Sequence, residues 1–413
     1  YDKSGHTNAA WDGDAHRAID LFFPLGPDPL HGPAEPRDAA LAAFQAAVDK
    51  GCRDPLLLAL RGITDGQDAG RSYHTPTGNM TRIIDDLQKE NYPAAVKMRV
   101  VNGYLRTTNI TAGDRVLIPI SLVTEVAKMS GLPAGELDAL ANDFYTAQRE
   151  NHDQFQALNP FVDAYQRAAP NSAGPRLLRA RAKLDAAFTT INNLDHAVNP
   201  PLWKQVLPQL KEAEALLQEA WTLDPRDPHA PSLMVRVEMY EGEDGGGDEA
   251  MELWFHRAME SDPDSYEACA AKLAYLSPAW HGSAGQMLGF GRECLATENW
   301  RAGLPLILVQ AHNRLSEGAP DSRQYFERPE VWTDIREVFA GAVLNFPNNL
   351  NLRCEYAKHA AKCGQWDTAH RQFEIIGDKP VLAVFGSQTS YDYLRKKAKR
   401  LVAETPATRP ATN

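Results

Sequence analysis

A chain of 413 residues is long enough for two or three compact domains, or for one extended repeat array with a continuous core. With 43% hydrophobic residues, 23% charged residues and eight tryptophans, it has ample apolar surface to bury, which excludes a disordered chain. Its formal net charge of -11 repels a phosphate backbone and argues against nucleic acid as a partner.

From the amino terminus, the Pro- and Gly-rich run 24–36 reads as a loop. Ala40, Phe44 and Ala47 then recur at offsets of 4 and 3, an apolar helical stripe, with Cys52 five residues further on. The segment 70–79 reads as another loop, and 77–107, 112–131 and 133–150 show helix-period patterns broken by Pro and Gly. A boundary near 195–201 separates a less regular half, 1–198, from a repeat-rich region, 199–403. The last residues, 404–413, are rich in Thr, Pro and Ala and read as a flexible tail.

The repeat-rich region shows its period directly. Ala213, Leu217, Ala220 and Pro225 stand at offsets of 4, 3 and 5, and Met251, Phe255, Ala258 and Pro263 repeat them with a shift of 38 at all four positions. Ile335, Phe339, Ala342 and Pro347 follow the same offsets. Ala369, Phe373 and Ile376 come 34 residues later, an interval that Trp332 and Trp366 also keep. Helices present i, i+3, i+4 and i+7 on one face, and the residue before proline is pushed out of the helical region, so each stripe predicts a helix with a defined stop. No stretch shows sustained period-2 alternation, so almost no sheet is expected.

The pattern A-x3-F-x2-A-x4-P with a 34-residue interval, together with the tight turn CGQWDTA at 363–369, resembles the tetratricopeptide repeat. The likeness is specific over 209–263 and 331–380 and weaker over 36–62; the insertion EGEDGGGD and the 84 residues between Met251 and Ile335 depart from a strict repeat. It implies an all-α solenoid of helical hairpins, irregular in the amino-terminal half. It also implies that the first helix of each hairpin lines a concave groove, where His229, Ser232, Arg236, Glu267, Asn351, Lys358 and Lys362 would meet a partner.

The stretch 277–294 packs four glycines and a serine between a proline and a cysteine. A nucleophile elbow needs Gly two residues before Ser283, where His281 stands, and Gly289 with Gly291 lacks the third glycine of a dinucleotide fingerprint. Ser283 and Gln286 instead have the S-x-x-Q form of a capping box, so a corner is expected here. The surrounding W-x-G-S-x-x-x-M-L-x-F segment is similar to one in uncharacterised bacterial repeat proteins.

Other candidate sites read as structural. Cys354, His359, Cys363 and His370 lie within one hairpin, but Cys354 and Cys363 are nine residues apart and fall on opposite sides of a helix, so no metal site is expected. The acidic run 241–252 lacks calcium-loop spacing, and Asp248 and Glu249 suit a helix N-terminus. NMT at 79 and NIT at 109 match the glycosylation pattern, which is frequent by chance. The one basic cluster, RKKAKR at 395–400, is expected at the end of the last helix, complementing its dipole. Five cysteines without CxxC (Cys52, Cys269, Cys294, Cys354 and Cys363) read as small buried residues.

The longest apolar stretches, such as 116–123, fall far short of the roughly 20 residues of a membrane-spanning helix. The chain starts at Tyr1 rather than Met, which leans the expectation toward an exported or periplasmic protein whose leader was removed. The expected function is a non-catalytic interaction scaffold or assembly subunit that binds a protein partner or copies of itself, with no cofactor. A self-assembling structural protein is the rival, and an enzyme is the least favoured reading.

Overall fold

Proline and small capping side chains set the helix ends, and apolar periodicity sets the buried face of each helix. The computed structural model describes residues 1–2, 4–22, 34–66, 77–105, 145, 158–192, 200–241, 246–378 and 380–404, and among these every regular element is a helix. The chain divides into two compact units, Tyr1–Pro225 and Arg226–Asn413.

The first unit holds α1 (Asp12–Phe22), α2 (Ala34–Asp49), α3 (Pro55–Gly66), α4 (Thr77–Lys89), α5 (Ala94–Leu105), α6 (Leu158–Ala168), α7 (Gly174–Asn192) and α8 (Pro200–Leu223). Packing runs from α1 to α2 to α3, from α3 to both α4 and α5, and from α6 through α7 to α8. The unit parts from the next after Pro225 rather than at the expected 198/199, because α8 packs along α7. Ala40, Phe44, Ala47 and Cys52 are all buried in one core with Leu57, Ile63 and Phe161. Asp54 caps α3: its Oδ1 accepts the Leu56 N–H at 2.9 Å, while Oδ2 accepts the Tyr92 hydroxyl at 2.7 Å and the His6 N–H at 2.8 Å. One buried carboxylate thereby ties the amino-terminal segment to α3 and to Tyr92, in the connection between α4 and α5.

The second unit holds α9 (His229–Glu241), α10 (Gly247–Ser261), α11 (Tyr266–Tyr275), α12 (Ala284–Ala296), α13 (Leu306–Glu317), α14 (Ser322–Phe326), α15 (Pro329–Asn345), α16 (Leu350–Lys362), α17 (Trp366–Ile376), α18 (Leu382–Phe385) and α19 (Gln388–Glu404). Consecutive helices pack on one another, and α9 with α11, α11 with α13, α13 with α15 and α17 with α19 pack across the helix between.

The repeat register is a register of burial. Ala213, Leu217 and Ala220 on α8, Met251, Phe255 and Ala258 on α10, Ile335, Phe339 and Ala342 on α15, and Ala369, Phe373 and Ile376 on α17 are all buried. The helices α8, α10 and α15 end two residues before Pro225, Pro263 and Pro347. Capping starts the following helices: Ser265 accepts from the Ala268 N–H at α11 and Asn349 from the Leu352 N–H at α16. Small residues let neighbours approach closely: a Cβ added at Gly291 of α12 would lie 2.9 Å from Leu308 of α13, and one at Gly341 of α15 would lie 2.3 Å from the Trp300 ring.

Two local expectations are corrected. Helix α2 begins at Ala34, inside a segment read as a loop, since Pro36 is tolerated in a first turn, whereas α4 begins at Thr77, where the helix-period pattern over 77–107 starts. The basic cluster 395–400 sits mid-helix, because α19 runs on to Glu404. The expected helices over 112–131 and 133–150 lie outside the described residues apart from Tyr145, as do the motif at 109 and all but the first residue of the tail.

Candidate functional site

The seven groove candidates fall on the second unit, on α9, α11 and α16, the helices that follow the three prolines. Asn351 and Lys362 are exposed, whereas His229, Arg236, Glu267 and Lys358 are half-buried. Ser232 is fully buried, and its hydroxyl donates to the Pro228 carbonyl at 2.6 Å, closing the first turn of α9 instead of facing a groove. His229 Nδ1 lies 2.6 Å from Asp227 Oδ1. Lys358 Nζ donates to the Val384 carbonyl at 2.6 Å, which ties α16 to α18.

On α16 the residues Glu355, Lys358, His359 and Lys362 share one helical face at i, i+3, i+4 and i+7 spacing. His359 is buried; its Nδ1 donates to the Glu355 carbonyl at 2.9 Å, and its Nε2 lies 3.2 Å from the Asn313 carboxamide of α13. Burial first, and then the charge of Lys362, pulls its pKa down to about 4, so the ring is neutral at neutral pH. Burial pushes the Glu355 carboxyl up, against the pull of Lys358 and Lys362. Although the Lys362 side chain is exposed, partial loss of water around its ammonium lowers its pKa, and its Nζ stands 4.8 Å from the centre of the Phe326 ring of α14. The face therefore presents a weakened ammonium beside a carboxyl that protonates easily, a pair adapted to a partly dry surface.

Beneath it lies a polar network that the sequence reading did not find. His312 of α13 is 1% exposed; its Nε2 is 3.1 Å from Asp334 Oδ2 of α15 and its Nδ1 is 2.9 Å from the Tyr325 hydroxyl of α14. A carboxylate only accepts, so Nε2 carries a proton and donates to Asp334, while Nδ1 pairs with the Tyr325 hydroxyl. Arg292 of α12 donates to the same carboxylate through Nη2 at 2.8 Å and Nε at 3.3 Å. Burial alone would raise the Asp334 carboxyl, but the bonds from His312 and Arg292 together hold it below the usual carboxylate range. Burial pushes the Tyr325 hydroxyl up to about 12, which keeps it a donor rather than a nucleophile.

A signal for this network was available. Asp334 is i+3 from Val331 and i−4 from Val338, and His312 is i+4 from Leu308, so both charged or polar groups stand on the apolar faces of their helices. A polar residue on a buried stripe calls for a partner, although its partner cannot be read from spacing alone.

The stretch 277–294 turns a corner. Ser283 Oγ accepts the Gln286 N–H at 3.3 Å and donates to Gln286 Oε1 at 2.9 Å, so the Gln side chain returns to the hydroxyl rather than to the backbone N–H of Ser283. His281 Nε2 reaches the Met239 carbonyl at 2.8 Å, and Trp280 packs edge-on against Tyr240. Gly282 lies against the Leu276 carbonyl, where any Cβ would come to 2.2 Å.

Of the four hairpin residues, Cys354 Sγ accepts the Val381 N–H at 3.5 Å, His359 bonds the Glu355 carbonyl, and burial holds the Cys363 thiol up at about 12. Among the described residues no three His, Cys, Asp or Glu side chains gather to hold a metal ion, and no helix is long and apolar enough to cross a membrane. Asp248, in the first turn of α10, accepts the Tyr275 hydroxyl at 2.7 Å. No known family model matches the chain, and a search of curated proteins likewise finds no match.

Proposed function

We propose that this chain is a non-catalytic protein-binding scaffold, an array of tetratricopeptide-like hairpins that recognises a partner through the polar faces of α9, α11 and α16. The observation that carries this reading is the buried apolar register with Phe at its middle position on α10, α15 and α17 (Phe255, Phe339 and Phe373), combined with packing of helices on their neighbours and across the helix between. Of the following helices, α11 and α16 keep solvent-facing positions, where Asn351 and Lys362 are exposed and Glu267 is half-buried, while among its described residues α9 reaches solvent only through the half-buried His229 and Arg236. His312 and Tyr325, the groups that would suggest chemistry, are buried and engaged with Asp334 and with each other, which supports a structural role for them.

The test is co-purification from the native source with the wild-type chain and an Arg236→Glu/Lys362→Glu variant whose helix content is unchanged. The reading expects one partner retained by the wild type and lost by the variant. The rival, self-assembly, is favoured by the exposed Leu344 (80%) and Ile375 (57%) on α15 and α17, and light scattering at rising concentration separates the two. A concentration-independent monomer removes the rival.

A further inference from the structure

We propose that the solvent face of α19 is a docking site for an acidic protein segment, held by Lys396, Lys397, Lys399 and Arg400 around the exposed ring of Tyr393. The helix carries five Lys and Arg against two acids, Asp392 and Glu404, in a chain whose formal net charge is -11. Cations in the last turn would answer the helix dipole, whereas residues 395–400 come before it.

The helix has two distinct faces. Tyr391 and Ala398, seven residues apart, are fully buried and fix the inner one. Tyr393, Lys396, Lys397 and Arg400 follow at i, i+3, i+4 and i+7 on the other side; Tyr393 is 62% exposed, and Lys396, Arg400 and the flanking Lys399 are exposed too. Two of the five cations are answered within the chain. Arg395 donates to Asp378 and to the Gly377 carbonyl, with Glu374 4.0 Å away, and Arg400 Nε is 3.8 Å from Glu404. Asp392 accepts from Gln388 instead of from a lysine. Lys396, Lys397 and Lys399 therefore have no carboxylate within ion-pair distance among the described residues. Lys397 Nζ stands 4.8 Å from the centre of the Trp366 ring of α17 and 5.9 Å from that of Tyr393, which holds the ammonium between two rings.

Charge and shape choose the occupant. From Tyr393 to Arg400 the stripe is about 10 Å long at the helical rise per residue, which suits two turns of a partner helix or a few extended residues. A nucleic acid runs on past so short a stripe and meets a chain that is otherwise acidic. A bilayer calls for an apolar face to enter it, and α19 turns its own inward at Tyr391 and Ala398. An acidic protein segment fits both features: its carboxylates pair with Lys396, Lys399 and Arg400, and an apolar side chain covers Tyr393. This face lies on a different helix from those of α9, α11 and α16, so loss of binding at one leaves the other intact.

The experiment titrates the full chain into a fluorescein-labelled oligoglutamate peptide with a central leucine and follows its anisotropy. The expected result is saturable binding that weakens about tenfold between low and high salt, about tenfold in Lys396→Glu/Lys399→Glu and about threefold in Tyr393→Ala. The Lys396→Arg/Lys399→Arg and Arg236→Glu/Lys362→Glu variants should bind as the wild type does. Carbodiimide coupling of the peptide to the wild-type chain, mapped by mass spectrometry, should place the crosslinks at Lys396, Lys397 or Lys399, and it reads the site if a variant fails to fold. Absence of saturable binding or crosslinks confined to other lysines would overturn the proposal. So would binding to phosphatidylserine vesicles without binding to the peptide, or an oligomer of the chain that Lys396→Glu/Lys399→Glu dissolves.

Discussion

His312 Nε2 of α13 lies 3.1 Å from Asp334 Oδ2 of α15, and Arg292 of α12 reaches the same carboxylate, so one acidic side chain joins three helices. Removing it leaves a buried imidazole N–H without an acceptor. Asp334→Ala is therefore expected to cost about 3 kcal/mol in urea unfolding, within the range for breaking a buried pair. The Arg292→Ala variant, whose side chain is half exposed, is expected to cost less. A loss below about 1 kcal/mol for Asp334→Ala would mean that the network contributes little to stability.

His359 sets a pH dependence with a defined sign. Burial holds its folded pKa at about 4 against an ordinary 6.5, so the unfolded chain takes up a proton that the folded chain refuses. Stability accordingly falls as pH drops from 6.5 toward 4, by roughly 3 kcal/mol across the window. The raised Glu355 carboxyl acts in the opposite sense, adding stability as pH falls through its folded range, and the lowered Asp334 carboxyl loses its contribution only below its ordinary 3.8. Denaturant midpoints measured between pH 4 and 7 should flatten in a His359→Gln variant. An unchanged slope would place the titrating group elsewhere.

Two glycines in the corner segment should respond oppositely to alanine. At Gly282 a Cβ meets the Leu276 backbone at 2.2 Å, so Gly282→Ala is expected to cost about 3 kcal/mol through a clash that no side chain can relieve. Nothing lies within 4 Å of a Cβ at Gly289, inside α12, so Gly289→Ala should gain about 0.5–1 kcal/mol. Thermal unfolding of the two variants reads both signs, and equal effects would contradict the corner geometry.

The register from Ala40 to Ile376 was legible because burial on a helix has a period, and the stops at Pro225, Pro263 and Pro347 because proline leaves the helix a single outcome. The cap at Ser283 was legible for the same local reason, although the sequence could not say that Gln286 would return to the hydroxyl. The His312–Asp334 network depends on four helices meeting, which no spacing within one helix encodes. Ser232 shows the converse error: its place on a following helix suggested a groove, whereas its hydroxyl closes a turn. The basic cluster on α19 was misplaced because nothing in 401–404 stops the helix at Arg400.

The proposed hairpin array requires that the recurring bulky residue of one helix hold the next helix against it. Phe339 of α15 stacks on Tyr356 of α16 with ring centroids 5.5 Å apart and planes 15° apart, and a double-mutant cycle in urea between these two rings tests the claim most directly. The account predicts that Phe339→Ala alone costs about 3–5 kcal/mol and that the pair couples by about 1 kcal/mol. A Phe339→Ala cost under about 1 kcal/mol, with strictly additive effects, would contradict it.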